Sequence, residues 1–272
     1  MIGAFALSAG VTAAAVIAVM AVAFLIGIRT GKFSVIDVIW GPGFVVVAWV
    51  SLLVTSGHGS QLQRWLLVAM VTVWGLRLGG YLLRRNHGLP EDPRYVELLA
   101  DAGPAAIVRK VQLPQGLVMW WVSLPVQVGM VIGQPLWPLL IAGVLLWMVG
   151  LGFESIGDAQ LAGFKSDPAN NGRVMDRGLW RYTRHPNYFG DACVWWGIWL
   201  TTAGHWLGWA SITSPLVMTY LLVAKTGKAL TERRLQSSKP GYADYVRRTS
   251  GFFPLPPRVS APSPTRAEEG RR

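Results

Sequence analysis

Residues 4–28 read AFALSAGVTAAAVIAVMAVAFLIGI, and not one of them is charged. A helix needs about 20 apolar residues to cross about 30 Å of hydrocarbon, so this run is long enough to span a bilayer. No basic residue precedes it, and it exceeds the apolar core of a secretory signal. It is therefore expected to be a first transmembrane helix rather than a cleaved leader. Six more segments qualify: 35–55, 65–83, 115–133, 136–156, 187–205 and 208–226. Asp37 and the Gly-Pro-Gly at 41–43 weaken the second. Pro215 falls in the last, where membrane helices tolerate proline if neighbours satisfy the freed carbonyl. The expected fold class is all-α: a polytopic membrane protein with about seven transmembrane helices.

Charge patterning supports this and orients it. Only 14% of the residues are charged and 52% are hydrophobic, whereas soluble chains carry about 25% charged residues. The net charge of +11 would suit nucleic acid if it formed a face or an arm. Instead the basic residues sit in short blocks between apolar runs, as membrane anchors do, and no nucleic-acid partner is expected. Arg29 and Lys32 follow the first span, while Arg84, Arg85, Arg94, Arg109 and Lys110 follow the third. Lys165, Arg173, Arg177, Arg181 and Arg184 separate the fifth from the sixth. By the positive-inside rule this alternation gives an outside N-terminus and a cytoplasmic C-terminus. One transmembrane domain is expected over 1–258, with a helix-compatible, cytoplasmic last part that ends in a proline-rich stop. Residues 259–272 are small, polar and proline-bearing, so disorder is expected there. Cys193 stands alone in an apolar run and reads as packing volume.

Polar groups inside such a chain carry the functional signal, because charges in a bilayer are costly and usually face an interior. Asp37 in span two either pairs with a loop arginine or lines a cavity. Arg77, in the run Trp74-Gly75-Leu76-Arg77, either snorkels to the interface or lines a polar cavity, and Gly75 permits close helix approach. The loop RRNHGLPEDPRY, 84–95, reads either as a solvated cap or as a closure over a cavity. Glu154 and Asp158 share one helix face, with Gln160 close behind. The richest stretch is RYTRHPNYFGD, 181–191. Pro186 suits a first helical position, and His185 falls in the cap region. The backbone N–H groups of that helix start, ringed by Arg173, Arg177, Arg181 and Arg184, would suit phosphate or carboxylate. Metal-ligand spacing around His185 is missing, so no metal is expected.

The run GLWRYTRHPNYFGD, 178–191, followed by Trp195-Trp196-Gly197, resembles the C-terminal signature of the steroid 5-alpha-reductase-like membrane proteins. It is most similar to their bacterial DUF1295 branch. Asp37 with Trp40, Trp74 to Arg77, Glu91 to Tyr95, Glu154, Asp158, Gln160-Leu161, Tyr242, Tyr245, Thr249, Ser250 and Pro254 carry the resemblance over about 37–257. It implies an inner-membrane, multi-pass protein with a cytoplasm-facing cofactor cavity. The wider superfamily holds sterol reductases that use NADPH and methyltransferases that use S-adenosylmethionine. By resemblance, Arg184, His185, Asn187, Tyr188 and Asp191 line the cofactor site with Glu232, Tyr242 and Tyr245, and Arg173 and Trp180 beside them. Several arginines suit the phosphates of NADPH better than the methyl donor. Reduction of an enone also needs a donor at the carbonyl oxygen and a proton source. Asp37, Tyr81 and Arg77 are the candidates. The expected activity is NADPH-dependent reduction of an activated carbon–carbon double bond in a lipidic, steroid-like or isoprenoid substrate that enters from the bilayer. Methyl transfer from S-adenosylmethionine and non-catalytic lipid binding are the alternatives.

Overall fold

A computed structural model describes residues 1–100, 102–225, 232 and 239–258. The disorder expected for 259–272, and most of the stretch from 226 to 238, lie outside the described residues. Every regular element among the described residues is helical, apart from one isolated bridge between Thr183 and Ser250. The helices are α1 (Ile2–Thr30), α2 (Val35–Val54), α3 (Gln61–Asn86), α4 (Pro93–Leu99), α5 (Pro104–Ile107), α6 (Leu113–Val122), α7 (Leu124–Gly129), α8 (Trp137–Ser166), α9 (Pro186–Thr202), α10 (Trp206–Ala210), α11 (Thr213–Tyr220) and α12 (Tyr242–Arg248).

Among the described residues, five helices are long and apolar enough to cross a membrane: α1, α2, α3, α8, and the run Trp206–Lys225 that contains α10 and α11. The Gly-Pro-Gly at 41–43 does not interrupt α2. The other two expected spans take different forms. Residues 115–133 are split at Ser123 into α6 and α7, because Pro125 has no N–H to donate and its ring clashes with the carbonyl one turn back. The span expected over 187–205 falls on α9, Pro186–Thr202, whose 17 residues reach about 26 Å at about 1.5 Å per residue. Large apolar side chains such as Ile17, Leu53 and Leu117 point outward, a surface that suits lipid tails better than water.

The chain forms two compact units. The first takes Met1–Trp147 and Trp195–Val217; the second takes Met148–Val194 and the described residues from Met218 on. In the first, α2 and α3 meet backbone to backbone. A Cβ on Gly41 would lie 2.3 Å from the Gly75 carbonyl oxygen, and one on Gly75 would lie 2.5 Å from that of Gly41. Absent side chains at these two positions set the interhelix distance. Phe44, Trp74 and Trp195 close the core beside this crossing, with ring centroids 4.5–5.7 Å apart. Arg64 is buried there and is not a surface anchor: its guanidinium donates to the Leu52 and His58 carbonyls, each at 2.6 Å. It thus satisfies carbonyl groups around the α2 C-terminus.

The second unit repeats the device with other residues. A Cβ on Gly150 would stand 2.5 Å from the Gly190 carbonyl oxygen, which brings the later part of α8 against the start of α9. Cys193 is buried at the same contact. The C-terminal segment then binds to residues 182–184. Leu255 N–H donates to the Tyr182 carbonyl at 3.0 Å and Arg184 N–H to Ser250 at 2.9 Å. The Thr183 hydroxyl donates to the Phe252 carbonyl at 2.8 Å.

Candidate functional site

Two polar clusters stand out, one in each unit. In the second unit, local sequence prepares the cluster. Asp167 and Pro168 start a short turn, and a 3₁₀ turn follows over Gly178–Arg181. Gly178 has φ 57, a left-handed conformation that other residues rarely adopt. Gln160 from α8 accepts the Leu179 N–H at 2.9 Å. Trp180 is buried, with its indole N–H on the Gly157 carbonyl at 3.0 Å, and the Tyr245 hydroxyl donates to the Trp180 carbonyl at 2.5 Å. Pro186 then opens α9, as its chemistry predicts.

At that opening Arg184 and His185 turn inward onto Glu232. Arg184 Nε lies 2.8 Å and His185 Nε2 3.1 Å from the same carboxylate oxygen. Arg184 Nη1 also donates to the Thr249 and Val246 carbonyls, at 2.6 and 3.1 Å. Burial alone would raise the Glu232 carboxyl, but the His185 and Arg184 hydrogen bonds and the Arg184 charge outweigh it and hold it at about 2. The His185 ring stacks on Tyr188 at 5.2 Å and 6°. Asn187 donates to Asp158 at 3.3 Å. Glu154, Asp158 and Asp191 are all buried. Tyr242 and Tyr245 are buried with ring centroids 5.8 Å apart. Burial first, then the Glu232 charge, pushes the Tyr242 phenol up to about 12, and burial likewise raises Tyr245.

The four arginines expected around the start of α9 are therefore divided. Arg184 is engaged by Glu232 and two carbonyls. Arg173 is exposed, and its carbonyl accepts from Lys239 at 2.5 Å. Arg177 and Arg181 line an open cleft of about 610 Å³ with Arg248 and Arg258, two residues that sequence reasoning had not singled out.

In the first unit the loop before α4 docks on the start of α2. Glu91 accepts from the backbone N–H groups of Phe33 and Ser34, placing an anion at a helix N-terminus. Asp92 caps α4 by accepting the Arg94 N–H at 2.8 Å, with Pro93 behind it. Arg94 then reaches Asp37 at 2.8 Å and Asp92 at 2.9 Å. The end of the 84–95 loop is thus tied to the start of α2. The Tyr95 hydroxyl donates to Asp37 at 2.7 Å. Tyr95 is buried, and its phenol is raised by burial first and by the neighbouring Asp37 charge second. Tyr81 is half-buried on α3 with the Arg85 guanidinium 5.8 Å from its ring centroid, and Arg77 is half-buried one turn earlier. A hydroxyl that meets Asp37 thus comes from Tyr95 in α4, a residue not among the catalytic candidates read from the sequence. No group of three His, Cys, Asp or Glu side chains placed to hold a metal occurs among the described residues.

The DUF1295 family, described as a protein of unknown function, matches residues 23–249. The chain belongs to this family. No curated protein and no solved structure matches it. The DUF1295 match runs through both clusters, from Asp37 to Tyr245, and leaves out Pro254 and Arg258.

Proposed function

We propose that this DUF1295 protein is a membrane-embedded, NADPH-dependent reductase of an activated carbon–carbon double bond in a lipidic substrate. The wider superfamily of the family includes sterol reductases, which favours this chemistry. The observation that carries the reading is the buried cluster at the start of α9, where Arg184 and His185 share Glu232. The residues present suit a dinucleotide. The Tyr188 ring, stacked on the buried His185, would take an aromatic ring of the cofactor by stacking. Asn187, Asp158 and Asp191 offer amide and carboxylate groups for a carboxamide and for ribose hydroxyls. When bound, NADPH supplies the hydride.

The protein's own groups then bind, orient and move a proton. The Arg184 hydrogen bonds to the Ser250, Thr249 and Val246 carbonyls tie its backbone and side chain to the C-terminal segment and would so hold Asn187 and Tyr188 in place. Asp37 with Tyr81 and Arg77 are the proposed carbonyl-polarising and proton-handling residues. We add Tyr95, because a phenol already hydrogen-bonded to Asp37 suits proton transfer. Seven crossings, with an outside N-terminus and a cofactor site facing the cytoplasm, complete the proposal; α6–α7 would cross as a broken helix and α9 as a short one.

S-adenosylmethionine is the second reading. One observation favours it: Arg184 is engaged internally, which removes a phosphate partner from the cluster while leaving acidic and amide groups. Calorimetric titration of detergent-purified protein with NADPH, NADH and S-adenosylmethionine decides between them. Micromolar NADPH affinity with no heat from the methyl donor supports reduction. The reverse result overturns it.

A further inference from the structure

The cleft lined by Arg177, Arg181, Arg248 and Arg258 holds two of the four arginines expected around the start of α9 and two that the sequence did not single out. Asp176 is the carboxylate on its wall and pairs with Arg248 at 2.6 Å. Arg177, Arg181 and Arg258 have no carboxylate partner among the described residues. Three arginines without a carboxylate partner among the described residues therefore line one space.

Anchoring charges have no reason to converge, because like charges around a cavity repel and long side chains can splay into water. Here the backbone prevents their stems from separating. Arg177 and Arg181 flank the 3₁₀ turn whose Leu179 N–H is held by Gln160 at 2.9 Å and whose Trp180 carbonyl is held by Tyr245 at 2.5 Å. Arg258 N–H donates to the Arg248 carbonyl at 2.8 Å, so those two arginines leave adjacent strands of backbone. Thr249, Gly178 and Pro257 complete the lining. A volume of about 610 Å³ falls within the range of about 300–1,000 Å³ typical of small-ligand sites. A second recess of about 200 Å³ shares Arg248, Thr249 and Arg258 and extends to Arg184.

We propose that this cleft binds a multiply charged phosphate group. Planar guanidiniums in a fixed fork match phosphate oxygens in bidentate fashion, and three unneutralised charges call for more than a single carboxylate. A pyrophosphate or phosphomonoester carries that charge, whether it belongs to a nucleotide or to a lipid headgroup. The proposal does not rest on the proposed reduction: Arg177 and Arg181 are arginines whose place before α9 already suggested phosphate, and none of the lining residues is assigned to the chemical step.

The test titrates inorganic pyrophosphate into full-length protein in a zwitterionic detergent. It compares the native chain with Arg177→Glu/Arg181→Glu, with the milder Arg177→Gln/Arg181→Gln, and with Arg84→Glu, an exposed arginine outside the cleft. Equal thermal midpoints confirm folding. The expected result is pyrophosphate binding that falls at least tenfold in both double variants, is unchanged in Arg84→Glu, and weakens as salt rises. No pyrophosphate binding to the native chain overturns the proposal, as does an equal loss in Arg84→Glu. Competition then separates the sources. Displacement by adenosine 2′,5′-bisphosphate identifies a nucleotide, and displacement by phosphatidic acid in phosphatidylcholine vesicles identifies a lipid headgroup. Pyrophosphate failure with NADPH binding intact defeats this inference alone; loss of NADPH binding with pyrophosphate binding intact defeats only the reductase reading.

Discussion

Asp37 and Glu232 are both carboxylates held by an arginine and a ring-bearing side chain, yet the two settings differ in water. Around Asp37 the side chain is 21% exposed and its Arg94 partner 34%. Around Glu232 the figures are 15% for the acid, 9% for Arg184 and 3% for His185. Where water can replace a missing partner, an ion pair contributes about 0–1 kcal/mol. Where it cannot, removal of one partner strands the other, at roughly 3–5 kcal/mol. The first cluster is thus a latch that fastens a loop to a helix start, while the second is part of the interior.

The largest effect should follow from Glu232→Ala, which leaves Arg184 and His185 without their shared acceptor. We expect a loss of about 3 kcal/mol, read as a lowered thermal midpoint in detergent. Asp37→Ala should cost less, about 1–2 kcal/mol, because water can replace the partner of Arg94 while the buried Tyr95 hydroxyl loses its acceptor. Comparable losses at both positions would erase the contrast. Replacing Arg184 and Glu232 together by Met and Leu should cost less than either single removal, because no buried charge is left behind.

Next in size is backbone packing, where the units should behave alike. Gly41→Leu and Gly150→Leu each push a side chain into a carbonyl oxygen, at 2.3 and 2.5 Å for the Cβ alone. Overpacking of this kind costs roughly 1–3 kcal/mol. If one unit tolerates the change, its helices approach by a different route.

Acid offers a third comparison. Glu232 sits at about 2 in the folded chain against an ordinary 4.5, so the unfolded chain binds the proton more readily. Its contribution is complete above about pH 4.5 and is lost as the pH falls toward about 2. Unfolding curves across that window should be steeper for the native chain than for Glu232→Gln. A variant with the same slope would mean that other carboxylates govern acid stability.

Much of the fold could be read along the chain, because membrane helices announce themselves by length and hydropathy alone. The Gly-Pro-Gly run, which weakened the second expected span, lies inside α2, and Gly75 makes the close approach that its place in Trp74–Arg77 implied. Residues 115–133 show where such reading fails. Their hydropathy is continuous, but Pro125 breaks the hydrogen-bond ladder at Ser123. The site was harder. Pro186, His185 and Asn187 could be located by local chemistry at a helix start, and the resemblance pointed to Glu232. The destination of Arg184 could not be seen, because its partners lie 48 to 65 residues away. The cleft depends on Arg248 and Arg258, ordinary basic residues until the segment after α12 folds back on residues 182–184. Tyr95 was visible only as one member of a polar loop. Nothing in a linear chain says that it, 58 residues on, meets Asp37.

That contact yields the prediction with the smallest effect on stability and the sharpest functional content. Tyr95→Phe removes one hydroxyl and leaves the ring in its buried place, and Asp37 keeps Arg94 as a partner. The net loss of one such hydrogen bond is about 1 kcal/mol, so the thermal midpoint should barely move. Under the proposed reduction, a group that handles a proton contributes about 10²–10⁴-fold to the rate. Turnover of an enone substrate should therefore fall by at least about 100-fold with little change in KM. Arg94→Ala should do less, because it loosens the loop without removing a proton-bearing group. If turnover instead follows stability in both variants, Tyr95 only fastens the loop, and the proton source must be sought at Tyr81 on α3.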